Sequence, residues 1–322
     1  MSLEACLPLS LRGPQTRITS ISDGLSGAGV YRVDTGGRAF VLKIAPAHED
    51  PASWHRALEI RRRAAAAGLT PGVIHVDEER RATLTDLVVD QSFAALYRDP
   101  ASHGRAIAQL GQTLRRLHSL PLPPDAEATG APAPWALLPT SWATLNAASI
   151  AVPDFVRRAA EGLLRESPPD AGRALVLSHN DVHPKNLVHD GVSLHLMDWD
   201  AAGPNDPFYD LATIAAFLGM DGATCRRLLS AYEDAPDAPL PARFLYDRRL
   251  IAMLCGVNFL QFGYLSGYTA GADAAGEQTP EATLALGEFY RRLRAGTLSL
   301  ATGEGRWAFG LALARESVAT MA

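Results

Sequence analysis

Between Gly29 and Ile44 two short, mostly apolar runs, GVYRV and AFVLKI, stand on either side of the polar DTGG. Two such extended segments joined by turn chemistry predict a β-hairpin. The preceding DGLSGAG supplies a flexible turn before the first strand. The next pattern is helical. In EDPASWHRALEIRRRAAAAGL both ends are marked, with Asp50 as N-cap, Pro51 at the first helical position and Gly68 just past the end. GVIHVDEERRATLTDLVV then gives two more short strands around a polar turn. After Asp90 the period lengthens, and AIAQLGQTLRRLHSL places Ile107, Leu110, Leu114 and Leu117 on one helical face. The Pro- and Ala-rich stretch across 121–140 predicts a surface loop or a lid. Helical patterns resume from Trp142 to Arg165 and again from Asp206 to the end, with no internal repeat. The chain therefore reads as α+β, a small β-rich part followed by a larger helical one.

Composition narrows this picture only a little. The 322 residues are 47% hydrophobic and 20% charged, enough to bury a core in one large or two ordinary domains. A net charge of -5 argues against nucleic acid or an anionic membrane as partner and is compatible with a cationic small molecule. Cys6, Cys225 and Cys255 are odd in number, far apart and without a CxxC pair. Such a set fits a reducing, cytoplasmic setting and offers no zinc site. MSLEACLPLSLRG lacks a basic region and a long apolar core, so no secretory signal is expected. The most membrane-like stretch, Leu250 to Tyr268, carries Asn258, Gln261 and three glycines, and reads as a buried helix.

The chemistry concentrates in LSHNDVHPKNLVHDGVSLHLMDWD, Leu177 to Asp200. Asp181 and Asn186 stand five apart, with Pro184 between them preventing a simple helix. Two short apolar strands around a DG turn follow and bring Asp198 back beside Asn186. One carboxylate and one amide oxygen side by side are hard ligands suited to Mg²⁺, which keeps its other positions for water and phosphate. Asp181 is then free to orient a hydroxyl and accept its proton, the division of labour of phosphoryl transfer from ATP. The alternative is that ND, HP and DG are only turn formers and the aspartates are solvated.

A cation for the phosphates is available upstream. Lys43 lies inside an apolar strand, where a charge is costly unless paired, and Glu59 in the following helix is the natural partner. Both also have surface explanations. Lys43 can reach water from an edge strand, and Glu59 has Arg63 at i+4 and Arg56 at i-3.

These residues carry a family likeness. LVLSHNDVHPKNLVHDGVSLHLMDWDAAGPNDPFYDLATIA resembles the catalytic segment of choline kinases, ethanolamine kinases and aminoglycoside phosphotransferases, and its DWDAAGPNDPFYDLA resembles the run of the bacterial choline kinase-like branch, which is favoured. GLSGAGVYRVDTGGRAFVLKI, WHRALEIRRRAAAAGLTPGVIHVD and LGQTLRRLHSLPLP are similar in order and spacing, so the likeness spans about residues 20–270. It implies a protein-kinase-like two-lobed fold, with a nucleotide-binding lobe at 1–88 and a catalytic and substrate-binding lobe at 89–322. It further implies ATP and Mg²⁺ as cofactors and a small-molecule hydroxyl acceptor. Asp181 resembles the catalytic base, Asn186 and Asp198 the metal ligands, Lys43 the phosphate-binding lysine and Glu59 its helix partner. Gly27 and Gly29 fall where a phosphate loop would lie, although GLSGAG is a loose version of it. Asp86, Leu87 and Val88 resemble the interlobe hinge, and Val41 would face adenine. His179 would brace the loop and Asp210 hold its backbone. Lys185 stands where many members have Gly, and Asp200 where many have Glu.

The acceptor is left open at this level. A quaternary ammonium is held by π faces, and Trp199, Phe262 and Tyr264, with Asp200, are candidates for that role. An aminoglycoside would instead want several carboxylates. Choline, ethanolamine or a related amino alcohol is favoured over aminoglycosides and thiamine. An inactive nucleotide-binding module is a further alternative, opposed by the intact Asp181, Asn186, Asp198, Lys43 and Glu59. A protein kinase is opposed by the missing D-F-G and A-P-E signatures.

Overall fold

The computed structural model describes residues 2–23, 28–123, 134–170, 172–236, 239–269 and 278–319. Five strands form an antiparallel sheet: β1 (Arg17–Asp23), β2 (Gly29–Thr35), β3 (Arg38–Ile44), β4 (Val73–Asp77) and β5 (Ala82–Asp86), in the order β1-β2-β3-β5-β4. The β2–β3 hairpin turns through Gly36 and Gly37, whose positive φ values of 56° and 76° glycine adopts without strain. Phe40 and Leu42 of β3 pack with Val33 and Leu84 under Cys6 and Leu7 on one face of this sheet. The pleat therefore turns Val41 and Lys43 to the opposite face. There stands α1 (Pro51–Ala66), capped by the Asp50 carboxylate, which accepts from the Ser53 N–H at 2.9 Å, and closed by Gly68 at φ 69°.

Helices build the rest: α2 (Phe93–Arg98), α3 (His103–His118), α4 (Pro134–Ala147), α5 (Asp154–Arg165), α6 (Pro207–Phe217), α7 (Gly222–Glu233), α8 (Ala242–Leu265), α9 (Leu286–Arg294) and α10 (Gly303–Val318). The apolar face of α3, Ile107, Leu110, Leu114 and Leu117, is fully buried against α6 and α7. α8 is a buried helix, and it meets α10 backbone to backbone. A Cβ on Gly263 would lie 2.8 Å from the Gly303 carbonyl oxygen, and one on Gly310 would lie 2.7 Å from that of Gly256. Among the described residues no helix is long and apolar enough to cross a membrane.

Two small ribbons are set into this helical body. β6 (Val176–Ser178) pairs with β9 (Gly203–Asn205), and β7 (Leu187–His189) pairs with β8 (Leu194–Leu196), all antiparallel. Between them they carry the polar segment 179–200. Most of the Pro- and Ala-rich stretch read as a lid, residues 124–133, lies outside the described residues, while 134–140 open α4.

Candidate active site

β6 delivers His179, Asn180 and Asp181, and α6 holds their backbone from behind. The carboxylate of Asp210 in α6 is completely buried, accepting from the backbone N–H of His179 at 2.7 Å and of Asn180 at 2.8 Å. His118 Nε2 reaches the same carboxylate at 3.1 Å, and its Nδ1 meets the Tyr232 hydroxyl at 2.9 Å. Burial alone would raise the Asp210 carboxyl pKa, but His118, His179 and the backbone donors outweigh it and hold it below its ordinary value. Asn180 sits at φ 65° and is fastened on both sides. Its Oδ1 accepts from Asn205 Nδ2 at 2.8 Å and its Nδ2 donates to the Ala201 carbonyl at 2.9 Å. A left-handed residue tied at this many points is a fixed corner.

His179 joins the loop to the β7–β8 ribbon. Its Nε2 meets the Met197 carbonyl at 2.9 Å, and its Nδ1 takes the Asp181 N–H at 3.3 Å. Burial lowers its pKa, so the ring is a neutral brace. Asn186 Nδ2 donates to both the Asp181 carbonyl and Asp181 Oδ2, each at 2.9 Å. Met197 N–H donates to the Asn186 carbonyl at 2.8 Å, and the pairing of Leu187 with Leu196 continues that ladder. The ribbon thus sets Asp198, at φ 63°, beside Asn186. Asp181 Oδ2 also faces His183 Nε2 at 3.5 Å, whereas Oδ1 has no partner among the described residues.

Asp198 and Asp200 close on Lys43 from across the cleft. Nζ of Lys43 lies 2.6 Å from Asp198 Oδ1 and 2.6 Å from Asp200 Oδ2. Burial acts to lower the Lys43 pKa, but the two carboxylates outweigh it and raise it. Burial acts to raise the Asp198 carboxyl, and Lys43 outweighs that and holds it below the usual range. Asp200 stays above it, through burial and the charge of Asp198.

Glu59 does not join them. It lies on the outer face of α1 and meets Arg63 Nε at 3.2 Å. Trp54, Ala57, Leu58 and Arg61 are the α1 residues that line the pocket with Lys43. At 100° per residue Glu59 points about 200° away from Ala57, which is why the acid misses the lysine.

Several other expected residues shift position or role. Trp199 is buried, its Nε1 donating to the Leu196 carbonyl at 3.0 Å and its ring against His179, so it is core and not an acceptor wall. Asp200 belongs to Lys43 in the interlobe pocket instead of the acceptor side. Tyr264 packs against the core of α4, α5 and α8, while Phe262 remains exposed at the end of an aromatic run. The Asp86 carboxylate meets Arg38 at 2.7 Å, and the Leu87 N–H is used by the Ala39 carbonyl at 3.1 Å. Val88 follows them in the segment leading out of the sheet, and Val41 shares the Lys43 face. Gly29 opens β2, and a Cβ there would strike the Tyr31 ring at 2.8 Å. Gly27 lies outside the described residues. Sequence reasoning did not single out His118, Asn180, Asn205, Glu49 or Arg61. The HS of RRLHSL at the end of an amphipathic helix was the available signal for the first of these.

The geometry has a counterpart in known proteins. The model of the phosphotransferase enzyme family matches residues 17–248. The chain belongs to that family. It is an ATP-dependent phosphotransferase with a hydroxyl group as acceptor. Among curated protein sequences none matches this phosphotransferase. Solved structures similar to it share its fold. A choline/ethanolamine kinase family protein from Mesorhizobium loti is 19% identical with a TM-score of 0.62, over 96% of this chain and 95% of that one. A macrolide 2'-phosphotransferase from Brachybacterium faecium is 19% identical with a TM-score of 0.54, over 83% and 94%. A spectinomycin phosphotransferase in complex with ADP and spectinomycin is 14% identical with a TM-score of 0.57, over 94% and 93%.

Proposed function

We propose that this phosphotransferase transfers the terminal phosphoryl group of ATP to the hydroxyl of a small amine-bearing alcohol of the choline or ethanolamine class, with Asp181 as the catalytic base. The observation that carries the acceptor is an aromatic run beginning beside Asp181, in which Phe262 is exposed, Phe217 and Phe259 are half-buried and Phe309 is core. The His183 ring lies 5.8 Å from Phe217, Phe217 6.2 Å from Phe309, Phe309 4.7 Å from Phe259 and Phe259 6.0 Å from the exposed Phe262. A π surface beside the base suits a quaternary ammonium such as that of choline, which has no N–H donors to offer carboxylates. The same apolar surface suits a bulky amino-sugar antibiotic such as a macrolide, the second reading.

In the reaction, the acceptor oxygen bonds to the terminal phosphorus while its proton passes to Asp181 Oδ1, the carboxylate oxygen left without a partner. The bond from that phosphorus to the bridging oxygen breaks and ADP departs. His183 Nδ1 accepts the Lys185 N–H at 3.2 Å, and its Nε2 stands 3.5 Å from Asp181 Oδ2. The Asn186 amide, bonded to the same Oδ2, aims the base. Lys43 sits on the cleft face of β3 to meet phosphate oxygens. The donor set fits Mg²⁺. Asn186 is held by its Nδ2, so its Oδ1 is the free end, beside the Asp198 carboxylate. Held by these two residues, the ion would take its other ligands from phosphate and water. When bound, Mg²⁺ would neutralise charge spreading over the transferred group. The free Cys6, Cys225 and Cys255 fit a cytoplasmic enzyme, and burial pushes the Cys225 and Cys255 thiols up to about 12, which keeps them unreactive.

The test is ADP release from Mg·ATP against choline, ethanolamine, thiamine, aminoglycosides and a macrolide, with Asp181→Ala as the blank. A signal with an amino alcohol that vanishes in the blank is expected. A signal only with an antibiotic would replace the acceptor assignment with the second reading.

A further inference from the structure

The face of α1 that looks on Lys43 carries a cation and no acid. Ala57 and Arg61, one helical turn apart, line the same pocket as Lys43, Glu49 and Asp200. Among the described residues the Arg61 guanidinium reaches only two hydroxyls, Thr83 Oγ1 at 3.3 Å and Thr85 Oγ1 at 3.5 Å, both long contacts. Its Nε is buried and has no partner among the described residues, and no carboxylate there lies within ion-pair distance of it. Two neutral, long hydrogen bonds compensate a desolvated guanidinium poorly, since such a group gains most from a planar anion. Burial accordingly draws its pKa down, against the pull of Asp200 and Asp198.

Asp200 has the complementary problem. Its only ion-pair partner among the described residues is Lys43, which it shares with Asp198. Two of the three donors of the Lys43 ammonium go to these carboxylates at 2.6 Å, so a polyphosphate that engages more than the one remaining donor must take Lys43 from one of them. Once Lys43 turns to phosphate, Asp200, with its side chain 41% exposed, loses its ion-pair partner and lies in the same pocket as a guanidinium with donors to spare.

We propose that Arg61 is a positioning residue that takes over the Asp200 carboxylate when a nucleoside di- or triphosphate draws Lys43 away, so that an exchange of partners, in place of a helix acid, frees the lysine. This rests on the reading of the interlobe pocket as the nucleotide site. Arg61 does not touch the reacting atoms. It lowers the cost of moving Lys43, and so acts on nucleotide affinity more than on turnover.

The experiment is titration calorimetry with Mg·ADP in the absence of acceptor, on the full chain and on Arg61→Gln, Arg61→Lys, Asp200→Asn and the Arg61→Gln/Asp200→Asn pair. Arg61→Gln is expected to weaken ADP binding about tenfold, roughly 1.4 kcal/mol, and Arg61→Lys to recover most of it. KM for ATP should rise by the same factor with kcat within about twofold, the pattern of lost binding common to ground and transition state. In the Asp200→Asn background the effect of Arg61→Gln should shrink below about twofold, because the carboxylate it serves is gone. An equal tenfold loss in both backgrounds would overturn the proposal, as would unchanged ADP binding in Arg61→Gln. If the Gln variant fails to fold, Arg61→Met, similar in length and apolar, replaces it in both backgrounds with the same expectations. A full chain that binds no ADP would instead overturn the nucleotide reading beneath it.

Discussion

The β7–β8 ribbon and the inner face of α1 both present charged side chains to one pocket, yet they do so by different means. The ribbon is short-range. Leu187 pairs with Leu196, Met197 bonds back to Asn186, and Asp198 can land nowhere else. The α1 face is long-range, because which of its residues meets Lys43 depends on the rotation of a whole helix over a sheet. There a single step in sequence changes the side chain's direction by about 100°. The comparison teaches that a site built by a hairpin is set by local pairing, while a site built by a packed helix is set by what the helix must bury. Here α1 buries Trp54, Ala57, Leu58, Ile60 and Ala64, and that choice turns Arg61 in and Glu59 out.

The largest effect that sharpens the contrast lies on the ribbon side. Asp181→Ala should cut kcat at least ~100-fold with ADP binding retained, the size expected for a positioned base. Normal turnover in a folded Asp181→Ala protein would break the assignment. Asp210→Ala comes next and acts through the loop. Removing a buried acceptor of two backbone N–H groups and His118 should cost about 3 kcal/mol of stability, read by denaturant unfolding. Because the folded-state pKa of Asp210 is depressed, its contribution is present above the ordinary carboxylate pKa and is lost as pH falls through the lower folded value. The difference between the two proteins should therefore narrow in acid. A gap that widened below about pH 4 would contradict the pairing.

Asp247 in α8 gives a smaller effect of the opposite sign. Burial, with the charge of Asp206 adding, raises its carboxyl to about 6, although Arg243 at 2.9 Å opposes this. A folded-state carboxyl raised above its unfolded value binds its proton more tightly in the native protein. Stability attributable to it is therefore highest below about pH 4 and falls as pH rises through about 6, by about 3 kcal/mol. Asp247→Asn should flatten that part of the profile, and an unchanged slope would place the titration elsewhere.

Legibility followed the same division. The hairpin at 29–44, the capped helix from Asp50 to Gly68 and the buried α8 were readable because turns, caps and periodicity are written locally. Asp181, Asn186 and Asp198 come together for the same reason. What could not be read was tertiary. Trp199 looks like an available aromatic until its indole is found spent on the Leu196 carbonyl. His118 lies far from Asp210 in sequence, and Arg61 looks like one of three surface arginines until its face is known.

Glu59→Gln is the smallest effect and the most direct probe of the comparison. The Glu59–Arg63 pair is an exposed i,i+4 contact, of the kind worth about 0.2–0.5 kcal/mol. Its loss should barely move the unfolding midpoint and should leave KM for ATP within about twofold. Lys43→Met, in contrast, removes the cation that Asp198 and Asp200 share and should abolish tight nucleotide binding. If Glu59→Gln raised KM for ATP as much as Arg61→Gln does, α1 would have to rotate on binding nucleotide and bring the acid inward. Trp54, Leu58 and Ala57 would then leave the interface they fill, so the rotation would expose apolar surface and cost several kcal/mol. The packing of α1 therefore favours a silent Glu59, and the side-by-side measurement of these two variants decides which residue on the helix answers to Lys43.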